Sequence, residues 1–497
     1  MTSRIKLYNT AARSKDPFAP SGSTVGLYCC GPTVYDYAHI GNLRTYVFED
    51  VLKRTLKMLG MDVKHVMNIT DVGHLVSDED TGEDKMEKGA RREGKTVWEI
   101  ASFYTAKFME NMDDLNIEPA DIRPKATDHI GEMIELVAKL EQRGYTYTSG
   151  EGIYFDTSKF PRYGEFAGLE ADALRAGTRV DMGDKRRPTD FALWKFSPVG
   201  VKRRMEWESP WGVGFPGWHI ECSAMALKYL NQPLDIHCGG SDHIRVHHTN
   251  EIAQVEAATD KPFARFWVHG EFLVMDKGKM AKSSGSFVTL DTVKERGIEP
   301  LAYRMMCFSA HYRNPLTFSW EALEGAARSL TNLRKLVAEQ TGGESGGGAD
   351  GGAVSAAVAP FREALCDDLN MPRAVGWLWE FLRDGSVEAG VKAAAVAAAD
   401  EVLGLNLLDG SPRERVMEFG DEGGAIRIVS TSEVSRSTAE EIVENVRSRR
   451  EARAGRDFAA ADRIRDRLRA EGVAVKDLRD GTTECVVETG PSSAVTE

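Results

Sequence analysis

Residues 245–254 read RVHHTNEIAQ, with His247 and Glu251 four positions apart. On a helix that spacing puts an imidazole and a carboxylate on one face. Two cysteines stand where they can join the pair: Cys30 at the end of VGLYCC, and Cys222 in GWHIECSAM. A nitrogen, a carboxylate oxygen and two thiolates make a tetrahedral donor set for Zn²⁺. The donors are scattered along the chain and form no CxxC pair, which argues against a compact structural knuckle. Read singly, His247 and Glu251 are an ordinary polar pair on a helix and Cys30 is a core thiol. Read together, the four are a metal site. Cys29 is expected on the opposite face of its strand, and Cys238, Cys307, Cys366 and Cys485 are expected to be structural.

Two further stretches suit phosphate chemistry. HIGN (39–42) follows a strand and opens a helix, where backbone amides and an imidazole welcome an anion. KMAKSSGS (279–286) is a small-residue loop whose lysines suit the charge of a triphosphate in its transition state. GxxxxGK[ST] and GxGxxG are both absent, so neither a P-loop nor the common dinucleotide site is expected.

The elements that must position these residues are legible as period changes. VGLYCCG reads as a buried strand, the stretch NLRTYVFEDVLKRTLKMLG as a helix, and DVKHVMNIT (62–70) as a second strand. Strand, helix, strand over this distance predicts a βαβ unit and a parallel sheet. The α/β pattern returns at 218–275, after a largely helical stretch at 96–143 and β-like pieces (YTYT, GIYFDT) within 145–195. In parallel sheets ligands gather at the carboxyl ends of strands, where residues 30, 222, 247 and 251 all fall. The fold class is therefore α/β: a Rossmann-type catalytic domain at 1–275, with an insertion about 118–200. Residues 276–318 follow as a loop and stem region, 319–410 as a helical bundle and 411–497 as a small C-terminal domain. GGESGGGADGGA (342–353) reads as a flexible loop and GSPRERVMEFGDEGG (410–424) as a linker. A helical hairpin is expected at 438–471, with short strands near 473 and 485.

Bulk numbers agree with this. The 497 residues allow several domains, and seven cysteines are too few and too odd in number for a disulfide framework. No apolar run is long enough to span a membrane, and the first residues lack the apolar core of a signal peptide. The cytoplasm is the expected compartment. A net charge of −13 argues against nucleic acid coating the whole surface. Yet residues 447–470 hold nine Arg against four acids, a local excess of +5.

HIGN and KMAKS resemble the HIGH and KMSKS signatures of class I aminoacyl-tRNA synthetases. YCCGPTVYDYAHIG, NITDVG, PGWHIECSAM, DIHCGGSDH and HHTNEIAQ resemble the cysteinyl-tRNA synthetase family in the right order. REARAGRDFAAADRIRDRL, followed by DGTT, resembles its anticodon-binding hairpin. The resemblance covers nearly the whole chain. It implies ATP-dependent ligation of L-cysteine to tRNA(Cys) through cysteinyl-adenylate, with Mg²⁺ accompanying ATP and one Zn²⁺ per chain gripping the substrate thiolate. The implied zinc ligands are Cys30, Cys222, His247 and Glu251. His39, Asn42, Lys279 and Lys282 are implied to meet the phosphates. Thr33, Thr45, Asn68, Thr70, Gly240, Ser241 and Asp242 are implied to line the adenylate, and Trp218 to wall the amino-acid pocket. Arg453, Phe458, Asp462, Arg465 and Asp477 are implied to contact tRNA, and the chain is expected to act as a monomer. Departures are Asn42 in HIGN, Ala281 in KMAKS, Thr249 where the family often has Glu, and Glu484 where many members have Trp. A relative that ligates cysteine to a small amine shares the zinc pocket but has no anticodon domain, which the last 90 residues here argue against.

Overall fold

The computed structural model describes residues 4–73, 85–168, 185–197, 203–217, 219–275, 287–342, 349–408, 415–419, 425–430, 436–455, 457–470, 472–478 and 482–487. The chain divides into two compact units, Met1–Leu405 and Asn406–Glu497.

The first unit is organised by a four-stranded parallel sheet: β1 (Thr24–Cys29), β2 (Asp62–Met67), β3 (Leu234–Gly240) and β4 (Ala264–Gly270). Their spatial order is β4-β3-β1-β2. Helix α1 (Ile40–Met58) joins β1 to β2, α2 (Ile220–Tyr229) leads into β3, and α3 (His247–Thr259) joins β3 to β4. The chain leaves β1 towards one edge and β3 towards the other, so the two central strands flank a topological switch point, where open α/β sheets bind ligands. Every residue of β3 is buried, as expected for a strand covered on both faces.

The stretch between β2 and β3 builds a second sheet, antiparallel, from Thr146–Thr148, Gly152–Phe155, Phe191–Phe196 and Gly214–Pro216. It is not separately packed. Phe155, Phe191 and Trp194 share a core with Tyr28, Val66, Met225 and Trp267 of the parallel sheet and its helices. Helices Trp320–Thr341, Gly351–Cys366, Met371–Arg383 and Ala389–Leu403 complete the unit. A buried ion cluster ties α1 to them. Arg304, fully enclosed, donates to Asp50 Oδ2 at 2.5 Å and to the Leu403 carbonyl at 2.6 Å.

The second unit has strands β5 (Arg415–Phe419), β6 (Ile426–Ser430), β7 (Val473–Asp477) and β8 (Thr483–Val487), in the order β5-β6-β8-β7. Helices α4 (Arg436–Ala454) and α5 (Phe458–Ala470) form the expected hairpin. Its core holds Ile426, Ile428, Ile442, Val446, Leu468 and Cys485.

Two expectations are corrected. Residues 410–424 are not simply a linker, because β5 lies within them and pairs antiparallel with β6 in continuous register. The flanking Pro412 and glycines drew the eye away from a five-residue strand. The glycine-rich segment does not run to residue 353. A helix starts at Gly351 because the Asp350 carboxylate accepts from the amides of Gly352 and Ala353, a side-chain cap that offsets glycine's poor helix propensity. Residues 343–348 lie outside the described residues. No described helix is long and apolar enough to cross a membrane.

Candidate active site and metal centre

The described members of both expected clusters lie at or just beyond the carboxyl ends of the parallel strands and in the helices that follow. Cys30 leaves β1, Cys222 sits in the first turn of α2, and His247 and Glu251 share the inner face of α3. One donor atom from each lies within 4.8 Å of the others. Cys30 Sγ is 3.4 Å from His247 Nε2, and His247 Nε2 is 3.3 Å from Glu251 Oε1.

The electrostatics are compatible with a metal cation. Glu251 is wholly buried, and neither carboxylate oxygen has a hydrogen-bond partner among the described residues. His237 Nε2 lies 2.9 Å from Oε2 without hydrogen-bond alignment. Burial disfavours the carboxylate, but His247 and His237 outweigh it and hold the Glu251 pKa far below the usual range. Burial likewise opposes the His247 cation, yet Glu251 and Cys222 raise its pKa well above the ordinary value. Cys222 is pulled down by the Cys30 thiol, against its own burial, whereas burial pushes Cys30 up. A buried carboxylate without donors, beside two thiols and an imidazole, fits a soft divalent metal.

The sequence did not flag the histidines around this centre. His219 Nδ1 lies 2.7 Å from His247 Nδ1. His219 holds left-handed backbone, φ 82°, at the start of α2. Such conformations cost free energy and collect at functional sites. His248 Nε2 lies 3.4 Å from Cys30 Sγ, its Nδ1 meets His269 Nε2 at 2.8 Å, and His269 Nδ1 meets Thr10 Oγ1 at 2.7 Å. Metal-bound side chains are commonly oriented by partners of this kind. The only sequence signal was that WHIEC and VHHTN each carry a further histidine next to an expected site residue, Trp218 and His247.

Beside this centre the residues expected to line a nucleotide come from three segments. Gly31 N–H donates to Asn68 Oδ1 at 2.8 Å, Asn68 Nδ2 donates to Thr70 Oγ1 at 2.9 Å, and Thr33 bridges Thr70 in parallel register. Gly31 is obligatory, since a Cβ there would sit 1.7 Å from the Asn68 carbonyl oxygen. Gly240, Ser241 and Asp242 follow β3, and Thr45 of α1 faces them: a Cβ on Gly240 would meet Asp242 Oδ1 at 2.3 Å and Thr45 Oγ1 at 3.8 Å.

HIGN forms a reciprocal cap. Asn42 N–H donates to His39 Nδ1 at 3.2 Å, and His39 N–H donates to Asn42 Oδ1 at 3.3 Å. Asn42 thus spends its carbonyl oxygen on the helix start and keeps its amide N–H groups. The His39 pKa is lowered by burial, with Asp242 opposing. The Phe287 ring stacks on His39 at 5.2 Å, and Ile40 N–H donates to the Val288 carbonyl at 2.9 Å. These contacts bring the segment after KMAKS against HIGN. Lys279, Lys282 and Trp218 lie outside the described residues.

In the second unit Arg453 and Asp477 are joined to each other at 2.6 Å, and Arg449 grips both Asp477 oxygens at 3.0 and 2.8 Å. Asp462 and Arg465 pair one turn apart at 3.2 Å. Phe458 opens α5 and is 60% exposed, so it does not belong to the hairpin core.

The fold, with its site at the switch point, is that of a class I synthetase catalytic domain. Residues 18–328 match the family model described as "tRNA synthetases class I (C) catalytic domain". The fold also matches the Mycobacterium tuberculosis methionyl-tRNA synthetase structure in complex with methionyl-adenylate, with a TM-score of 0.52 and 16% identity over 78% of this chain and 91% of that one. The chain belongs to the cysteine–tRNA ligase family of class I aminoacyl-tRNA synthetases. It is 49% identical to cysteine–tRNA ligase 1 of Burkholderia lata over 96% of each chain. It is 44% identical to the Treponema denticola cysteine–tRNA ligase, over 96% of this chain and 99% of that one.

Proposed function

We propose that this chain attaches L-cysteine to tRNA(Cys) in two steps, through cysteinyl-adenylate, with a resident Zn²⁺ selecting the amino acid by its sulfur. The carrying observation is the convergence of Cys30, Cys222, His247 and Glu251 at the switch point, beside residues suited to a nucleotide. Those four would hold the zinc. When bound, it supplies a thiolate-preferring coordination position that a serine hydroxyl does not fill equally. A hydrophobic pocket alone separates such close analogues weakly.

The substrate carboxylate attacks the ATP α-phosphorus, and the bond to the bridging oxygen breaks to release pyrophosphate. Thr33, Thr45, Asn68, Thr70, Gly240, Ser241 and Asp242 orient the nucleotide. His39, Asn42, Lys279 and Lys282 stabilise the phosphates, with Mg²⁺ accompanying ATP, and Trp218 walls the amino-acid pocket. A terminal ribose hydroxyl of tRNA then attacks the carbonyl carbon and AMP leaves. The work of the protein is positioning and charge stabilisation. The second unit supplies the tRNA contact through Arg453, Phe458, Asp462, Arg465 and Asp477, with Phe458 free to stack an unpaired base. The enzyme acts as a cytoplasmic monomer.

The test is charging of total tRNA with radiolabelled cysteine, ATP and zinc-replete protein, with serine in parallel. Cysteine charging without serine charging is the expected result. Failure to charge, with full zinc content, would overturn the proposal.

A further inference from the structure

Glu271 follows β4 and belongs to neither expected cluster. Its carboxylate Oε1 accepts from Ser241 Oγ at 2.9 Å and from the Phe272 amide at 3.0 Å. Ser241 opens a short turn, Ser241–Ile244, whose leading residue Gly240 provides no side-chain cap. Glu271 is therefore the side chain that restrains the start of that turn among the hydrogen bonds of the described residues.

The backbone of Glu271 is itself held by a buried cation. Arg44, 4% exposed on α1, spreads its guanidinium over four carbonyls: Glu271 at 2.7 Å, Phe272 at 2.6 Å, Asn314 at 2.6 Å and His311 at 3.3 Å. A planar fork reaches four acceptors in a way an ammonium cannot. Glu271 N–H donates in turn to the Tyr312 carbonyl at 2.8 Å. Gly270 and Glu271 border a small apolar cavity with Phe48, Cys307 and Tyr312.

We infer that Glu271, anchored by Arg44, is a positioning residue for the nucleotide turn at Ser241 and Asp242, and sets ATP affinity rather than cysteine affinity. This rests on the nucleotide role given to that turn in the proposed function. Arg44 neighbours Thr45 in α1, and Glu271 leads into the strand Leu273–Met275 that precedes the KMAKS segment. One arginine thus ties α1, the Ser241 turn and the strand ahead of that segment into a single rigid frame.

Glu271→Ala and Glu271→Gln separate positioning from bulk stability, because Gln keeps an acceptor oxygen at the same reach. ATP affinity is read by equilibrium dialysis on zinc-loaded full-length protein, which does not depend on turnover. The KM values for ATP and cysteine are read by pyrophosphate exchange. Glu271→Ala is expected to weaken ATP binding about tenfold, the scale of one lost charge-assisted hydrogen bond, with Gln within about twofold of the parent. Cysteine KM and zinc content should not move. Equal ATP affinity in parent and Ala variant would overturn the inference, as would a cysteine KM rising in step or Gln failing to rescue. A parent that binds ATP more tightly than the Ala variant yet charges no tRNA counts against the proposed function and supports this inference.

Discussion

His219 and His247 meet nitrogen to nitrogen, Nδ1 to Nδ1, at 2.7 Å. Only one of the two can donate when both rings are neutral. For His247 to turn a lone pair at Nε2 towards a metal, its proton must sit on Nδ1 and His219 must accept it. His219 makes that contact from a left-handed backbone, φ 82°. His219→Ala should therefore weaken zinc retention about 10- to 100-fold, the usual penalty for losing such a partner. Competition with a chromogenic chelator reads it directly. Unchanged zinc affinity would show that the contact orients nothing.

Cys222→Ala tests the donor set itself. The Cys222 thiol is the one whose pKa is lowered, by Cys30 and His247, so it is the readiest thiolate of the four-residue set. Its removal should abolish stoichiometric zinc and cysteine-dependent pyrophosphate exchange together. Full zinc content in the variant, by atomic emission, would remove Cys222 from the ligands.

The parallel sheet, and the grouping of Cys30, Cys222, His247 and Glu251, were legible because their signals are local. HIGN announces a helix start, and the structure adds that Asn42 and His39 cap each other. His247 and Glu251 declare a shared face by spacing alone. The remaining histidines were not legible. His219, His237 and His269 come from three different elements, and only the fold brings His219 onto His247, His237 onto Glu251 and His269 onto His248. Strand β5 was missed for the opposite reason: RVMEF is too short to outweigh the flanking Pro and Gly, and its partner β6 follows the glycine-containing stretch GDEGG in sequence. Local chemistry also misses commitment. Arg453 and Asp477 each suit a base edge, and the fold joins them, so a base would meet the two as one ion pair.

The Arg304–Asp50 pair should dominate the stability of the link between α1 and the helices after residue 300. Both side chains are fully enclosed. Truncating one partner leaves the other charged and buried, a penalty of about 3–5 kcal/mol in fully buried pairs. Arg54 also bonds Asp50 at 2.8 Å, so Arg304→Leu should cost the lower end, about 3 kcal/mol. Urea denaturation measures it, and a loss below about 1 kcal/mol, the scale of an exposed pair, would show that Arg54 and the Glu118 amide, which donates to Asp50 Oδ1 at 2.8 Å, satisfy Asp50 without Arg304.

His65 predicts a pH dependence of stability. Its ring is buried with neither nitrogen bonded among the described residues. Burial, with Lys53 adding to it, lowers its pKa to about 3. The unfolded chain takes up a proton near pH 6.5, whereas the folded chain refuses it down to about 3. The unfolded state therefore binds more protons across that window, and stability falls as pH drops through it. The slope contributed by this one ring approaches about 1.4 kcal/mol per pH unit below 6.5. His65→Leu should flatten the profile between pH 6.5 and 5 relative to the parent, whatever its absolute stability. Parallel urea midpoints at three pH values decide it, and identical slopes would assign the acid sensitivity elsewhere.

Phe458→Ala tests whether the second unit contacts tRNA independently of the adenylate chemistry. Phe458 is exposed at the first position of α5, beside a stretch carrying nine arginines against four acids. An exposed phenyl in a cationic setting suits base stacking, worth about 1–3 kcal/mol per base. Its loss costs the core nothing, since the hairpin packs through Ile442, Val446 and Leu468. Phe458→Ala should raise the KM for tRNA about tenfold, with pyrophosphate exchange and the thermal midpoint unchanged. A matching fall in exchange would mean that the variant damages the enzyme as a whole, and an unchanged tRNA KM would leave the exposed ring without a base to cover it.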